Sequence, residues 1–181
     1  ENSLYFTPRF SILYQINDVS ALALSGGEFI QPPSYIWLIG GQNNNSQAFR
    51  ARQIVLAYDH TPLEDVKVQV EAYYKLYSDY PARVFRPQAV LSPNGFEDIS
   101  TDIPYGLEPL NYVGSGYSRG FEIFIQKKLS DIPLYGLLSL TLSDTKFKSI
   151  EGIERIGTYD SRYILNLSLG YRFNSEWEVS T

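Results

Sequence analysis

The chain has 181 residues, a formal net charge of −5, 44% hydrophobic and 15% aromatic residues, and neither cysteine nor methionine. Without cysteine it forms no disulfide and no cysteine-metal framework, and its negative charge leaves no basic footprint for nucleic acid. A membrane-spanning helix is excluded, because no run of about twenty apolar residues occurs.

The start of the chain predicts a hairpin followed by a long loop. Residues 8–16 alternate apolar and polar side chains with the period of two that an extended strand requires. Asn17-Asp18 is a tight-turn dipeptide, and a second strand is predicted over residues 19–30. The prolines, glycines and asparagines of residues 31–47 exclude a regular element, so we expect a loop there.

The clearest strand is residues 65–77, which follows a predicted strand over residues 48–60 and a turn at residues 61–64. It is longer than the five or six residues that are typical of soluble sheets, and a tilted strand needs about 9–11 residues to cross a bilayer. The sequence therefore predicts a membrane-spanning strand, with an apolar face toward lipid and a polar face toward a wet barrel interior. The apolar face carries Val66, Val68, Val70, Ala72, Tyr74 and Leu76, and the polar face carries Lys67, Gln69, Glu71, Tyr73, Lys75 and Tyr77.

The rest of the chain repeats this pattern with connections that alternate in length. Antiparallel outer-membrane barrels have short periplasmic turns and long extracellular loops, and aromatic residues collect near their strand ends. Strands are predicted over residues 112–128, 134–143 and 162–173. On this basis residues 17–18, 61–64, 129–133 and 174–175 are predicted to be periplasmic turns, and residues 31–47, 78–110 and 144–161 extracellular loops.

Backbone chemistry requires such a sheet to close. An unpaired backbone N–H or C=O group in hydrocarbon costs several kcal/mol, so a spanning sheet has no free edge. Seven strands and the start of an eighth are predicted, which is almost enough for the smallest barrel, but the eighth strand is cut off. The predicted fold class is all-β: a transmembrane antiparallel up-and-down β-barrel, of which this chain is an internal slice of about seven to eight strands.

Several stretches resemble the late barrel strands of TonB-dependent outer-membrane receptors. They are G-S-G-Y-S-R-G-F-E-I-F-I-Q-K-K-L-S (Gly114–Ser130), Y-G-L-L-S-L-T-L-S (Tyr135–Ser143) and residues 159–180, where Tyr163 stands at a position commonly occupied by histidine. P-R-F-S-I-L-Y (Pro8–Tyr14) and Gln31-Pro32-Pro33 after Gly26-Gly27 are similar to earlier stretches of the family.

The resemblance implies a 22-stranded barrel whose N-terminal plug domain is not part of this sequence. It implies active uptake of a scarce, bulky nutrient of the siderophore, cobalamin or oligosaccharide class, with energy from TonB. The implied partners are outer-membrane lipid, the TonB complex through the missing plug, the transported small molecule and a surface lipoprotein. Two alternatives stay open: a non-transporting structural or adhesion barrel, and a soluble all-β binding module.

Two sets of side chains are candidates for contact with a solute. Aromatic rings stack on sugar or catecholate rings, and arginines bind anionic groups. The first set lies in the extracellular loops, and the alternative for it is that its side chains pack the loops on one another. The extracellular loop set is Tyr35, Trp37, Arg83, Phe85, Arg86 and Tyr105. The set predicted to face the lumen is Arg9, Glu71, Lys75, Glu122 and Arg172, for which the alternative is an ordinary wet barrel wall.

No residues predict catalysis, a metal site or a cofactor. His60 is the only histidine, and Gly114-x-Gly116 precedes a strand, whereas a phosphate-binding loop must open a helix. Glu97, Asp98 and Asp102 lie in one predicted loop without the spacing of a calcium site, so we interpret them as solvated acids. Arg52 and Arg119 fall on the outward register near the extracellular ends, where they can reach lipopolysaccharide headgroups.

Overall fold

The computed structural model describes residues 4–41, 43, 46–87, 89–90, 107–157 and 160–181. These residues form nine antiparallel strands and one three-residue 3-10 helix. None of the described segments is a helix of the length and apolarity that a membrane crossing requires. The strands are β1 (Arg9–Asn17), β2 (Ser20–Gln31), β3 (Phe49–Leu63), β4 (Val66–Arg83), β5 (Leu110–Lys127), β6 (Leu134–Lys148), β7 (Glu154–Ile156), β8 (Tyr163–Arg172) and β9 (Glu178–Ser180), and the 3-10 helix is Tyr35–Trp37.

The strands form one up-and-down sheet in which consecutive strands are neighbours. The order is β1-β2-β3-β4-β5-β6-β8-β9, with the short β7 beside the end of β6. In the described part of the chain β1 pairs only with β2 and β9 only with β8, so the sheet is open at both sides. The prediction of an all-β, antiparallel up-and-down architecture is confirmed, and the open sheet agrees with a slice of a larger barrel.

The register gives the sheet one apolar face. Across seven strands, successive backbone partners place apolar or tyrosine side chains in continuous rows on this face. Nothing in the described chain covers them: Ile12 is 58% exposed and Leu165 is 65% exposed. The alternation therefore does not come from a core sealed within a compact domain. One row contains Tyr14, Leu22, Tyr58, Val70, Ile123, Leu140 and Leu165.

The opposite side, the polar face, carries mostly polar and small side chains. Two tyrosine rings on it lie over glycines of the adjacent strand: Tyr73 of β4 over Gly120 of β5, and Tyr135 of β6 over Gly170 of β8. A Cβ atom at Gly120 would lie 2.5 Å from Cζ of Tyr73. Each tyrosine thus fills the space that the facing glycine leaves, and a larger residue there would displace the ring.

Short and long connections lie at opposite ends of the sheet. At one end of the sheet the strands are connected by residues 18–19, 64–65, 128–133 and 173–177. At the other end they are connected by residues 32–48, 84–109 and 149–162, the last of which contain β7. At the short-turn end, Asp65 accepts hydrogen bonds from Nζ of Lys127 and, at 2.5 Å, from Oγ of Ser130. These contacts join the turn between β3 and β4 to the one between β5 and β6.

Regular structure extends into all three predicted loops. β4 continues to Arg83, through Pro81, because its pairing with β5 shifts register after Tyr77 and Asp79 adopts a φ of 60°. Proline is tolerated at such an irregularity, since the ladder there does not need its missing N–H. β6 and β7 likewise occupy parts of residues 144–161, and the 3-10 helix lies within residues 31–47. The expectation that residues 31–47 hold no element is therefore wrong.

Candidate functional site

The long-loop end of the polar face carries four aromatic rings in mutual contact. The ring centroid of Tyr80 lies 5.5 Å from that of Phe49, 5.5 Å from that of Tyr77 and 5.7 Å from that of Phe147. The rings of Tyr77 and Phe147 stack at 5.4 Å. We call these four residues the aromatic cluster. Contacts of this kind add about 0.5–1.5 kcal/mol per pair beyond the area that is buried, so the cluster fixes the ends of β3, β4 and β6.

Asn43 ties the first long loop to the second. Its Nδ2 donates to the carbonyl oxygens of Trp37 and Glu108, both at 2.9 Å, and its Oδ1 accepts from the backbone N–H of Leu110 at 2.9 Å. The side chain is buried. Since one buried side chain binds backbone atoms more than sixty residues apart, the two loops share one hydrogen-bonded base.

A buried ion pair reinforces the same base. Nε of Arg83 lies 2.5 Å from Oε1 of Glu108, and the two side chains are 1% and 5% exposed. Removing two charged side chains from water costs free energy, so a buried ion pair is stable only where its hydrogen-bond geometry is good. We call Asn43, Arg83 and Glu108 the loop base.

The structure separates the loop candidates into buried and exposed residues. Trp37 lies in the 3-10 helix and Arg83 ends β4, and both side chains are buried, contrary to the expectation that they offer surface to a ligand. Tyr35 and Phe85 are exposed and Arg86 is half-buried. Tyr105 lies outside the described residues, as do the loop acids Glu97, Asp98 and Asp102.

The five residues predicted to face the lumen all lie on the polar face. Glu71 of β4 and Glu122 of β5 are direct cross-strand partners. Nζ of Lys75 lies 4.7 Å from the ring centroid of Tyr73, on the same strand. The sheet therefore brings two carboxylates together near the middle of this face.

The remaining two lumen candidates lie near the edges of the sheet. Cζ of Arg9 lies 4.2 Å from the ring centroid of Phe29, and Nη2 of Arg172 lies 2.8 Å from Oε2 of Glu178. Both arginines have local partners and neither is close to Glu71. The five candidates thus share a face without forming a single pocket.

His60 has a structural environment. Its Nδ1 lies 2.8 Å from Oγ of Ser20, and its ring stacks on that of Tyr58 with centroids 6.0 Å apart. Within the described ranges, no three His, Cys, Asp or Glu side chains are grouped to hold a metal ion.

Sequence reasoning missed Asn43, Tyr80 and Glu108. Asn43 belongs to an asparagine triplet whose composition indicates only a loop, and Glu108 follows a proline-rich stretch. For Tyr80 a signal exists, because Tyr77 and Tyr80 continue a tyrosine-rich strand beyond the predicted boundary at Ser78.

Comparison with known proteins identifies the architecture. No family model and no curated protein sequence matches the chain. Solved structures do match, among them the FrpB iron transporter from Neisseria meningitidis (15% identity, TM-score 0.67) and FpvAI in its complex with pyocin S2 (12% identity, TM-score 0.70). Both are TonB-dependent receptors. The chain has the fold of a segment of their barrel wall.

The match covers 96% and 99% of this chain but only 25% and 23% of the two receptor chains. The chain thus spans about a quarter of the length of either structure. The predicted fold, a segment of an antiparallel up-and-down barrel wall, is confirmed.

Proposed function

We propose that the chain is part of the wall of an outer-membrane receptor that takes up a scarce, bulky nutrient with energy from TonB. The solute is of the siderophore, cobalamin or oligosaccharide class. The barrel has 22 strands, its plug domain is supplied by sequence outside this chain, and its short turns lie in the periplasm. A surface lipoprotein is a further partner.

One observation carries this proposal: the sheet is apolar on one face, polar on the other and open at both edges. Lipid is the medium that suits an uncovered apolar face many strands wide. An open edge within hydrocarbon is not viable, so further strands must complete the wall. The fold shared with two receptors agrees with this arrangement.

We propose separate tasks for the loops and for the middle of the polar face. Tyr35, Phe85 and Arg86 belong to loops that rise from the loop base, where aromatic and cationic groups can capture a solute. Below them Glu71, Lys75 and Glu122 line the wet wall along which plug and solute are placed. TonB drives the rearrangement of the plug that opens this path.

Membrane fractionation and uptake test the proposal together. We expect the full-length protein in the outer-membrane fraction. Deleting its gene should abolish uptake of one labelled solute among a panel of ferric siderophores, cobalamin and oligosaccharides. Deleting the gene for TonB should abolish the same uptake.

The alternatives give different results in the same experiment. A structural or adhesion barrel would fractionate with the outer membrane, and its deletion would leave the uptake of every solute unchanged. A soluble binding module would be recovered without detergent. Either result would contradict the proposal.

A further inference from the structure

One glycine of β5 lets side chains of β4 and β6 meet above it. β5 lies between these two strands, and Gly116 is the direct backbone partner of both Tyr77 and Phe147. A Cβ atom at Gly116 would overlap the ring of Phe147, whereas glycine leaves room for that ring to stack on Tyr77 with centroids 5.4 Å apart. The end of β6 therefore lies against the end of β4, although the two strands are not neighbours in the sheet.

Beyond this contact the chain that leaves β4 turns back on itself. Ala82 and Val90 form an antiparallel bridge, and the N–H of Arg83 donates to the carbonyl oxygen of Ala89 at 3.2 Å. These two pairings bring the end of β4 and the returning chain side by side. We call this segment, residues 82–87 and 89–90, the tip hairpin.

The turn of the tip hairpin carries Phe85 and Arg86, two of the side chains to which capture of a solute is assigned above. The N–H of Ala89 donates to the carbonyl oxygen of Arg86 at 2.8 Å, which closes the turn. Phe85 is 66% exposed and its neighbour Val84 is 45% exposed. The turn thus presents apolar surface on a backbone that is held by its own hydrogen bonds.

A serine of the third long connection braces the tip hairpin from β6. Oγ of Ser149, the first residue after β6, donates to the carbonyl oxygen of Ala89 at 2.9 Å. That oxygen also accepts the N–H of Arg83, so both of its lone pairs have a donor. Ser149 is only 6% exposed, and water therefore does not compete for its hydroxyl group.

Ser149 is itself fixed, because it opens the turn between β6 and β7. Its carbonyl oxygen accepts the N–H of Gly152 at 2.9 Å, and Gly152 has a φ of 71°, which glycine adopts without strain. Lys148, the residue before Ser149, pairs with Glu154 of β7. The brace on the tip hairpin therefore comes from an ordered turn.

We propose that Ser149 is a positioning residue for solute capture: its hydroxyl group holds the tip hairpin so that Phe85 and Arg86 are in place before a solute arrives. This inference rests on the proposed function, which assigns capture to these side chains. A group that already has its binding arrangement loses less conformational freedom when a ligand binds, which strengthens binding. Ser149 acts through the carbonyl group of Ala89 and needs no contact with the solute.

Hydrogen exchange of the full-length protein in detergent tests the brace. Ser149→Ala removes the hydroxyl donor, and the amides of Arg83 and Ala89 should exchange about fivefold faster, as expected for the loss of one hydrogen bond. Ser149→Cys keeps the size of the side chain with a much weaker donor and should have the same effect. The matched control is Ser168→Ala, which removes a hydroxyl bond to the carbonyl group of Thr181 at the short-turn end and should change neither amide.

Uptake kinetics test the positioning role. The probes are a radiolabelled ferric catecholate, cobalamin and a maltooligosaccharide, supplied to cells that carry the unaltered protein or one variant. For the probe that the unaltered protein imports, Ser149→Ala should raise the half-saturating concentration about threefold, because placement of the capture side chains affects binding. The maximal rate per assembled barrel should stay unchanged, because the step driven by TonB does not involve the tip hairpin.

The outcomes separate the brace from the proposed function. Assembled barrel is quantified by its heat-dependent migration in gel electrophoresis, and if Ser149→Ala does not assemble, Ser149→Cys decides. Unchanged exchange in the assembled variants overturns the brace. Faster exchange with an unchanged half-saturating concentration, or with a lower maximal rate per barrel, overturns the positioning role. Import of none of the probes by the unaltered protein, together with faster exchange in the variants, instead contradicts the proposed function and upholds the brace.

Discussion

At the scale of single residues, Asn43 shows how one side chain can organise two loops. The asparagine amide offers two N–H donors and a carbonyl acceptor, and here all three functions bind the backbone. Because the amide is buried, water does not replace these bonds when they are lost. The loop base therefore depends on this residue more than on any of the exposed loop residues described above.

Replacing Asn43 by alanine should release the two loops from each other. The substitution leaves the carbonyls of Trp37 and Glu108 and the N–H of Leu110 without their partner, at a cost of about 1–3 kcal/mol for an unsatisfied buried group. Hydrogen exchange should show faster exchange of the Leu110 amide. Asn174→Ala, which removes the capping oxygen of an exposed turn at the other end, should not change it.

Arg83→Ala should destabilise the protein rather than act on ligand affinity alone. Removal of one partner of a buried ion pair leaves an uncompensated charge and costs about 3–5 kcal/mol. Urea unfolding in detergent measures the free energy of unfolding. Arg83→Met/Glu108→Leu should recover most of the stability that Arg83→Ala loses, because both charges are then gone. Unchanged stability with weaker ligand binding would instead assign Arg83 to the ligand site.

Asp65 should make the short-turn end sensitive to acid. The hydrogen bonds from Lys127, and then from Ser130, hold the pKa of the Asp65 carboxyl group below its ordinary value. A carboxyl group with a lowered folded-state pKa stabilises the fold at pH values above its unfolded pKa, about 3.9, and this contribution is lost as pH falls through the folded value. Stability conferred by Asp65 is therefore complete at neutral pH and declines below about pH 4.

Unfolding measured against pH tests the role of Asp65. Asp65→Asn should lower stability at pH 7 and flatten the acid decline, while Ser130→Ala, which keeps the contact with Lys127, should have an intermediate effect. An acid decline of unchanged size in Asp65→Asn would contradict this explanation.

At the scale of elements, the two faces of β4 differ in what they tolerate. Val70 lies in the middle of the apolar rows, and Gln69 points to the polar face. An arginine near the midplane on the lipid side of a barrel costs about 2–4 kcal/mol, so Val70→Arg should impair assembly into the outer membrane. Gln69→Arg should assemble normally, and equal amounts of folded protein for both variants would contradict the assigned faces.

The strands could be predicted from sequence because apolar and polar side chains alternate along them with a period of two. Val70 and Gln69 carry that information locally. The loop base could not be predicted, since Arg83 and Glu108 are 25 residues apart and Asn43 binds a backbone segment more than sixty residues away. The predicted loop at residues 78–110 began too early, because a register shift after Tyr77 lets β4 continue through Pro81 to Arg83.

At the scale of the whole molecule, the two open edges should prevent the chain from forming a stable unit by itself. Among the residues that the structure describes, β1 and β9 each leave one side of a ladder unpaired, and unpaired edges promote association with other chains. Residues 1–181 expressed alone should therefore form large assemblies in detergent. The full-length protein should be monodisperse under the same conditions, and a monodisperse, heat-modifiable product from the 181 residues would contradict the requirement for further strands.

The length of β4 also sets how far the loops stand from the membrane. At about 3.3 Å per residue and a tilt of about 45°, its 18 residues rise roughly 40 Å, more than the hydrocarbon thickness of about 30 Å. On the proposed membrane placement, the loop base, which includes Arg83 at the last residue of β4, therefore lies beyond the hydrocarbon. A nutrient captured by the loops above the loop base would be held clear of the acyl chains. Bilayer thickness should therefore influence how the barrel wall is anchored in the membrane and leave capture of the nutrient unaffected.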